Sequence, residues 1–197
     1  MNRFILPLLA MAFASPVSAQ TSEPNPGWAG GYLGLQVGYA ADSVFEFQSL
    51  PGFETDLTGV IGGGQIGFRR QTDEFVYGGE LEFAIGEQDL AGGTGGSVNV
   101  RTSTIRLGGQ AGYSFGRIMP YGSVGVARMT LHDTVGFGDT FSYGAYGGIG
   151  VEYQVGAATS VALEAVRENF QNFTGDNDAG VAQTNLCLLY TSPSPRD

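Results

Sequence analysis

Two glutamates stand at positions 80 and 82 of the stretch FVYGGELEFAIG, residues 75–86. On an extended chain they share a face about 7 Å apart, a separation that suits the paired carboxylates of a glycoside hydrolase. His132 beside Asp133, with Ser123 upstream, offers residue types used in acyl hydrolysis. GDNDAG at 175–180 is acidic like a calcium loop but lacks that loop's full ligand spacing and distal glutamate. The glycine strings at 62–64 and 92–96 open no helix and carry no Lys-Ser/Thr ending, so neither is a phosphate cradle. Cys187 stands alone and implies neither a disulfide nor a metal site. No cofactor is implied by these motifs.

The elements that carry these residues alternate with a period of two, the mark of strands with two unlike faces. In GGYLGLQVGY, Leu33, Leu35, Val37 and Tyr39 oppose Tyr32, Gly34, Gln36 and Gly38. In VIGGGQIGFR, Val60, Ile66 and Phe68 oppose Gly63, Gln65, Gly67 and Arg69. The stretch at 75–86 sets Phe75, Tyr77, Leu81, Phe83 and Ile85 against Gly78, Glu80 and Glu82. TIRLGGQAGYS repeats the rule with Ile105, Leu107, Ala111 and Tyr113 against Thr104, Arg106, Gly108, Gln110 and Gly112. In YGAYGGIGVEYQV, Tyr143, Ile149, Val151 and Tyr153 oppose Tyr146, Gly148, Gly150, Glu152 and Gln154. In SVALEAV, Val161, Leu163 and Ala165 oppose Ala162 and Glu164. MPYGSVGVARM is a less regular strand, and an eighth begins near 181–185. Short turns at RQTDE, FGRIM and GAAT alternate with long connections at 40–57, 86–99, 130–141 and 171–182, so short turns share one rim and long loops the other.

The face that looks outward decides the class. The polar face is mostly glycine with isolated Gln, Glu, Arg and Thr, and lacks the dense charge that disperses a soluble protein. Such a face suits the narrow lumen of an eight-stranded barrel, and the apolar face then meets lipid. Strands of about 9–11 residues would span a bilayer when tilted. Trp28, Tyr39, Phe68, Tyr77, Tyr113, Tyr143 and Tyr153 are expected to form the aromatic girdles of that wall. Arg69, Glu80, Glu82, Arg106, Glu152 and Glu164 fall inside, where carboxylates need charged partners. Strand 3 lies between strands 2 and 4, so Arg69 and Arg106 are the expected partners of Glu80 and Glu82. Four acids against two arginines leave an excess for water or a proton to offset. The expectation is a structural plug, and no enzyme.

The two ends read differently from the body. MNRFILPLLAMAFASPVSA is a secretory signal, residues 1–19, cleaved to leave Gln20 first. Residues 20–29 form a periplasmic lead-in, 30–186 the barrel, and 187–197 a tail resembling translated sequencing-adapter read-through. Between 21 and 186 stand 18 acids, 7 arginines and no lysine, which disfavours a nucleic-acid partner.

The motifs WAGGYLGLQVGY, VYGGELEF, RLGGQAGYSFGRIMPYGSVGVA and YGGIGVEYQV, taken with the signal, resemble the OmpA-like and opacity-protein group. They are most similar to its small alphaproteobacterial porin-family members. The resemblance spans 27–186 and implies an all-β, transmembrane, eight-stranded antiparallel up-and-down barrel in a Gram-negative outer membrane. It implies a structural or adhesin-like surface role, with a narrow pore as the alternative and a lipid-modifying enzyme as the second. Lipid A deacylases resemble this architecture and use His and Ser on the lipid side, which is the context for His132. Outer-membrane lipid, lipopolysaccharide and the barrel assembly machinery are the implied partners, and the acidic loops offer a surface for a further ligand. The family's usual ending, an alternating strand closed by phenylalanine, is replaced here by CLLYTSPSPRD.

Overall fold

The computed structural model describes residues 27–47, 54–91, 97–132, 139–157, 159–173 and 176–193. The signal segment, Asp133, the 92–96 glycines and residues 194–197 lie outside the described residues. So do the side chains of most acidic loop positions, including those of 175–180.

Eight strands follow one another: β1 (Gly30–Phe47), β2 (Glu54–Thr72), β3 (Phe75–Ala91), β4 (Ser97–Tyr113), β5 (Ile118–His132), β6 (Thr140–Gly156), β7 (Thr159–Phe173) and β8 (Asp176–Pro193). Each pairs antiparallel with its sequence neighbour, and β1 closes on β8. This is the all-β barrel expected from the alternation. Following paired residues from Arg70 in β2 through Tyr77, Ala111, Gly122, Ile149, Ala165, Leu186 and Tyr39 returns to Val60 in β2. The stagger from 70 to 60 tilts the strands and leaves a lumen that side chains fill.

Alternation sorts the two faces. Leu35, Val60, Leu107, Val124, Val126 and Ile149 are exposed, the last at 73% of its surface, while Gln36, Gln65, Arg106, Gln110 and Glu152 are buried. A wall of this kind is stable against acyl chains and costly in water. In β5, Val124 and Val126 face out, and Met119, Tyr121, Ser123, Ala127 and Met129 face in.

The short-turn rim is tight. Asp73 turns β2 into β3 with φ 54°, a left-handed conformation that Asp tolerates better than most residues. Gly116, at φ 69°, does the same between β4 and β5, where a side chain would be strained.

Three expectations need correction. The strands run 15 to 19 residues rather than 9 to 11, so much of the four long connections is strand. The reason is a reversal of pattern. Towards the long-loop end, outward positions become polar at Glu87, Arg101, Arg128, Arg167 and Asn169, and inward ones become apolar at Ala127, Met129, Val166, Phe170 and Val181. Apolar-out alternation stops marking these segments although the ladder continues. Second, the barrel does not end at 186: residues 187–193 pair with β1, and 187–191 also with β7. They alternate as the wall requires, with Leu188 and Tyr190 exposed and Cys187, Leu189 and Thr191 buried.

Third, Trp28 is not in a girdle. It is buried with Val76, Met119, Ala162 and Leu189 at the short-turn end of the lumen. Its Nε1 donates to Ser114 Oγ at 3.0 Å and to the Gly116 carbonyl at 3.1 Å, and its backbone N–H to Gln71 Oε1 at 2.8 Å. A buried indole N–H needs an acceptor, and the β4–β5 turn supplies two. Tyr39, Phe68, Tyr77, Tyr113, Tyr143 and Tyr153 are exposed on the wall. Several have an aromatic neighbour: Phe75 with Tyr77 at 5.8 Å and Tyr113 with Phe115 at 5.0 Å between centroids.

Candidate functional site

The polar residues of the lumen meet in two layers. In the lower one, Tyr32 lies across Gly67, where any Cβ would overlap its ring. The Arg69 guanidinium stacks on that ring, 4.2 Å from its centroid. Arg69 then crosses the lumen to Glu152 on β6, Nη1 to Oε2 2.8 Å. Glu152 Oε1 also accepts from Ser160 and from Thr191, the latter at 3.0 Å. Glu80 accepts from Tyr32 Oη at 3.0 Å and from Gln110 Nε2 at 2.7 Å.

In the upper layer Arg106 ion-pairs with Glu82, its register partner on β3, and with Glu168 at 3.5 Å. Gln36 accepts from Arg106 at 3.3 Å. Glu168 Oε2 accepts from Gln183 at 2.5 Å and Asn185 at 3.0 Å. Glu164 accepts from Ser123 Oγ at 2.8 Å.

The structure thus brings Arg106 to Glu82 but takes Arg69 away from β3. Arg69 is in register with Gly78, and Glu80 with Gly67, so no carboxylate stands beside Arg69 on the neighbouring strand. The staggered lumen is narrow enough for it to reach Glu152 instead. Glu168, buried at 1% exposure, is a fifth inward acid absent from the sequence reading. It follows Glu164 by four residues on the inward face of β7. The outward residues around it, Arg167 and Asn169, are polar, so the apolar alternation gave no sign that the strand continued. Tyr32, Gln36, Gln110, Ser160, Thr191, Gln183 and Asn185 complete the network.

Five acids against two arginines would be untenable if left bare. Here each carboxylate receives neutral donors as well, and hydrogen bonding to a buried charge is what makes burial tolerable. The void beside Arg106, lined by Gln88, Thr102, Thr104, Glu168, Gln183 and Asn185, has a volume of about 10 Å³, room for one water at most. Apolar clusters seal the network on both sides: Trp28, Val76, Met119, Ala162 and Leu189 near the short turns, and Ala127, Met129, Val166, Phe170 and Val181 near the long loops.

Glu80, held by Tyr32 and Gln110, and Glu82, held by Arg106 and Gln36, therefore face separate sets of donors inside the lumen, not a cleft. Ser123 is buried there too and does not meet His132. His132 lies on the outward side at the end of β5, where its Nδ1 is 3.0 Å from Asp139 Oδ2 and its Nε2 3.0 Å from Ser103 Oγ. Among the described residues no group of three or more His, Cys, Asp or Glu is placed to hold a metal ion.

Comparison with solved structures finds the same architecture. The outer membrane protein OprG from Pseudomonas aeruginosa superposes with a TM-score of 0.50 at 17% identity, over 86% of this chain and 99% of that one. Neisserial surface protein A gives a TM-score of 0.54 at 14% identity, over 84% and 98%. At these identities the likeness concerns the fold alone. Comparison with curated proteins returned no match. The family model described as outer membrane protein beta-barrel domain matches residues 5–190, nearly the whole chain, and the chain belongs to that family.

Proposed function

We propose that the barrel serves the outer membrane as a structural and surface-contact protein, its lumen non-catalytic and closed to solute. The observation that carries this reading is the filled lumen: two layers of paired polar side chains between two apolar plugs. A narrow pore needs a continuous wet path; the void beside Arg106, about 10 Å³, holds one water at most, and the buried side chains of the two apolar clusters stand above and below the polar layers. The wall supports contact with lipid and lipopolysaccharide, and its single-chain antiparallel closure supports delivery by the barrel assembly machinery. The long-loop rim, with exposed Glu87 and Asp139, supports a surface ligand of complementary charge.

Planar-bilayer recording separates the two readings. The folded chain is expected to give no discrete conductance steps above the lipid baseline. Steps that persist across preparations and vanish on heat denaturation would establish the pore.

A further inference from the structure

We propose that Ser103, His132 and Asp139 form a hydrolytic triad on the outer wall of the barrel, acting on acyl esters of outer-leaflet lipids. The three come from separate places in the chain, mid-β4, the end of β5 and the residue before β6. They meet in one chain of hydrogen bonds: Asp139 Oδ2 to His132 Nδ1, 3.0 Å, and His132 Nε2 to Ser103 Oγ, 3.0 Å. Both lie within the reach that nucleophile, base and orienting acid require. With Nδ1–H donated to Asp139, Nε2 carries the lone pair that faces the Ser103 hydroxyl.

Their place on the wall selects the substrate. Ser103 shares the outward face of β4 with Ile105 and Leu107, and is in register with exposed Ile85 on β3 and with Thr130 on β5. One step higher the row changes to Glu87, Arg101 and His132. The serine is therefore set where the apolar band gives way to charge. In a bilayer that boundary holds the ester carbonyls, between acyl chains and headgroups. Arg101, exposed and in register with His132, supplies a cation for a headgroup phosphate or for the developing oxyanion.

The chemistry closes with water as the only co-reactant. Ser103 Oγ attacks the ester carbonyl carbon while His132 Nε2 takes the hydroxyl proton. The carbon–oxygen bond to the lipid alcohol then breaks, and the alcohol leaves with that proton, giving acyl-Ser103. Water attacks the acyl carbon, loses its proton to Nε2, and releases the fatty acid as Ser103 regains its hydrogen. The His132 and Asp139 side chains are 40% and 58% exposed, so the site is not sealed from water and its electrostatic gain is small. Slow turnover is expected, and covalent trapping is the sensitive readout. The activity goes beyond the structural reading and leaves the lumen untouched.

The test uses the full chain folded into phosphatidylethanolamine vesicles, with and without lipopolysaccharide. A fluorophosphonate probe is expected to give one adduct, on Ser103, by peptide mass mapping. His132→Ala should lower its rate about 10²-fold or more, and Ser103→Ala should abolish it. Fatty acid should accumulate over hours and be lost in Ser103→Ala, and comparison of the two vesicle types identifies which lipid supplies the ester. The three side chains are on the wall and rim, so heat-modifiability of each variant should match the parent. An adduct elsewhere, labelling that His132→Ala leaves intact, or fatty acid release equal to Ser103→Ala in both vesicle types would overturn the proposal.

Discussion

Arg106 shows what the lumen asks of one side chain. It joins Glu82 on β3, Glu168 on β7 and Gln36 on β1, so its removal leaves two carboxylates short of their cation in a site with no room for bulk water. Breaking a buried pair from one side typically costs about 3–5 kcal/mol. Arg106→Ala is accordingly expected to lower the urea midpoint of the heat-modifiable band, with Glu82→Gln, whose amide still accepts from Arg106, falling much less. Equal midpoints for Arg106→Ala and the parent would mean the network does not hold the barrel together. Arg69 makes a different use of the same chemistry. Its guanidinium lies flat on Tyr32, and that ring has space only because position 67 is glycine, so the glycine excess of the chain is partly the imprint of lumen tyrosines. Tyr121 repeats the arrangement against Gly150, where a Cβ would come within 2.6 Å of the ring.

At the scale of elements, β8 is the closing strand, and its second half decides whether the sheet has edges. Residues Cys187 to Pro193 pair with Tyr32 to Gly38 of β1, and Cys187 to Thr191 with Ser160 to Glu164 of β7. A chain ending at Leu186 would leave both of those neighbours with unpaired backbone facing lipid, where no water can substitute. It is expected to give no heat-modifiable band after refolding in detergent, whereas a chain ending at Pro193 should fold; a compact band from the shorter chain would show that β1–β8 pairing is dispensable. The strands themselves were legible wherever they cross the apolar band, because lipid outside and a packed polar lumen inside force a period of two. In β7 the apolar alternation ends at Val166 for the same reason: past that point Arg167 and Asn169 face out, and no period-two signal marks Glu168, the ion-pair partner of Arg106. An aromatic beside a strand start fits a girdle equally well, so nothing in the local sequence around Trp28 signals that it folds under the barrel. The pairing of Arg69 with Glu152 depends on the stagger between strands, which no single segment encodes.

For the whole molecule, the single tryptophan is a reporter of orientation. Buried in the short-turn plug, it should emit at short wavelength and be only weakly quenched by lipids brominated along their acyl chains. Exposed tyrosines such as Tyr77 and Tyr113 are placed against lipid instead. Strong quenching by chain bromines would put Trp28 back on the wall. The reversal of polarity along the strands has a further consequence. Below the boundary the barrel is held by lipid on its outside; above it, Met129, Val166, Phe170 and Val181 give the hairpins an oily centre of their own. The packing of those upper hairpins is therefore expected to depend on their own buried side chains rather than on surrounding lipid. That oily centre makes the upper frame independent of what is attached above it, so sequence changes beyond the described strands are expected to leave the part that spans without need of redesign.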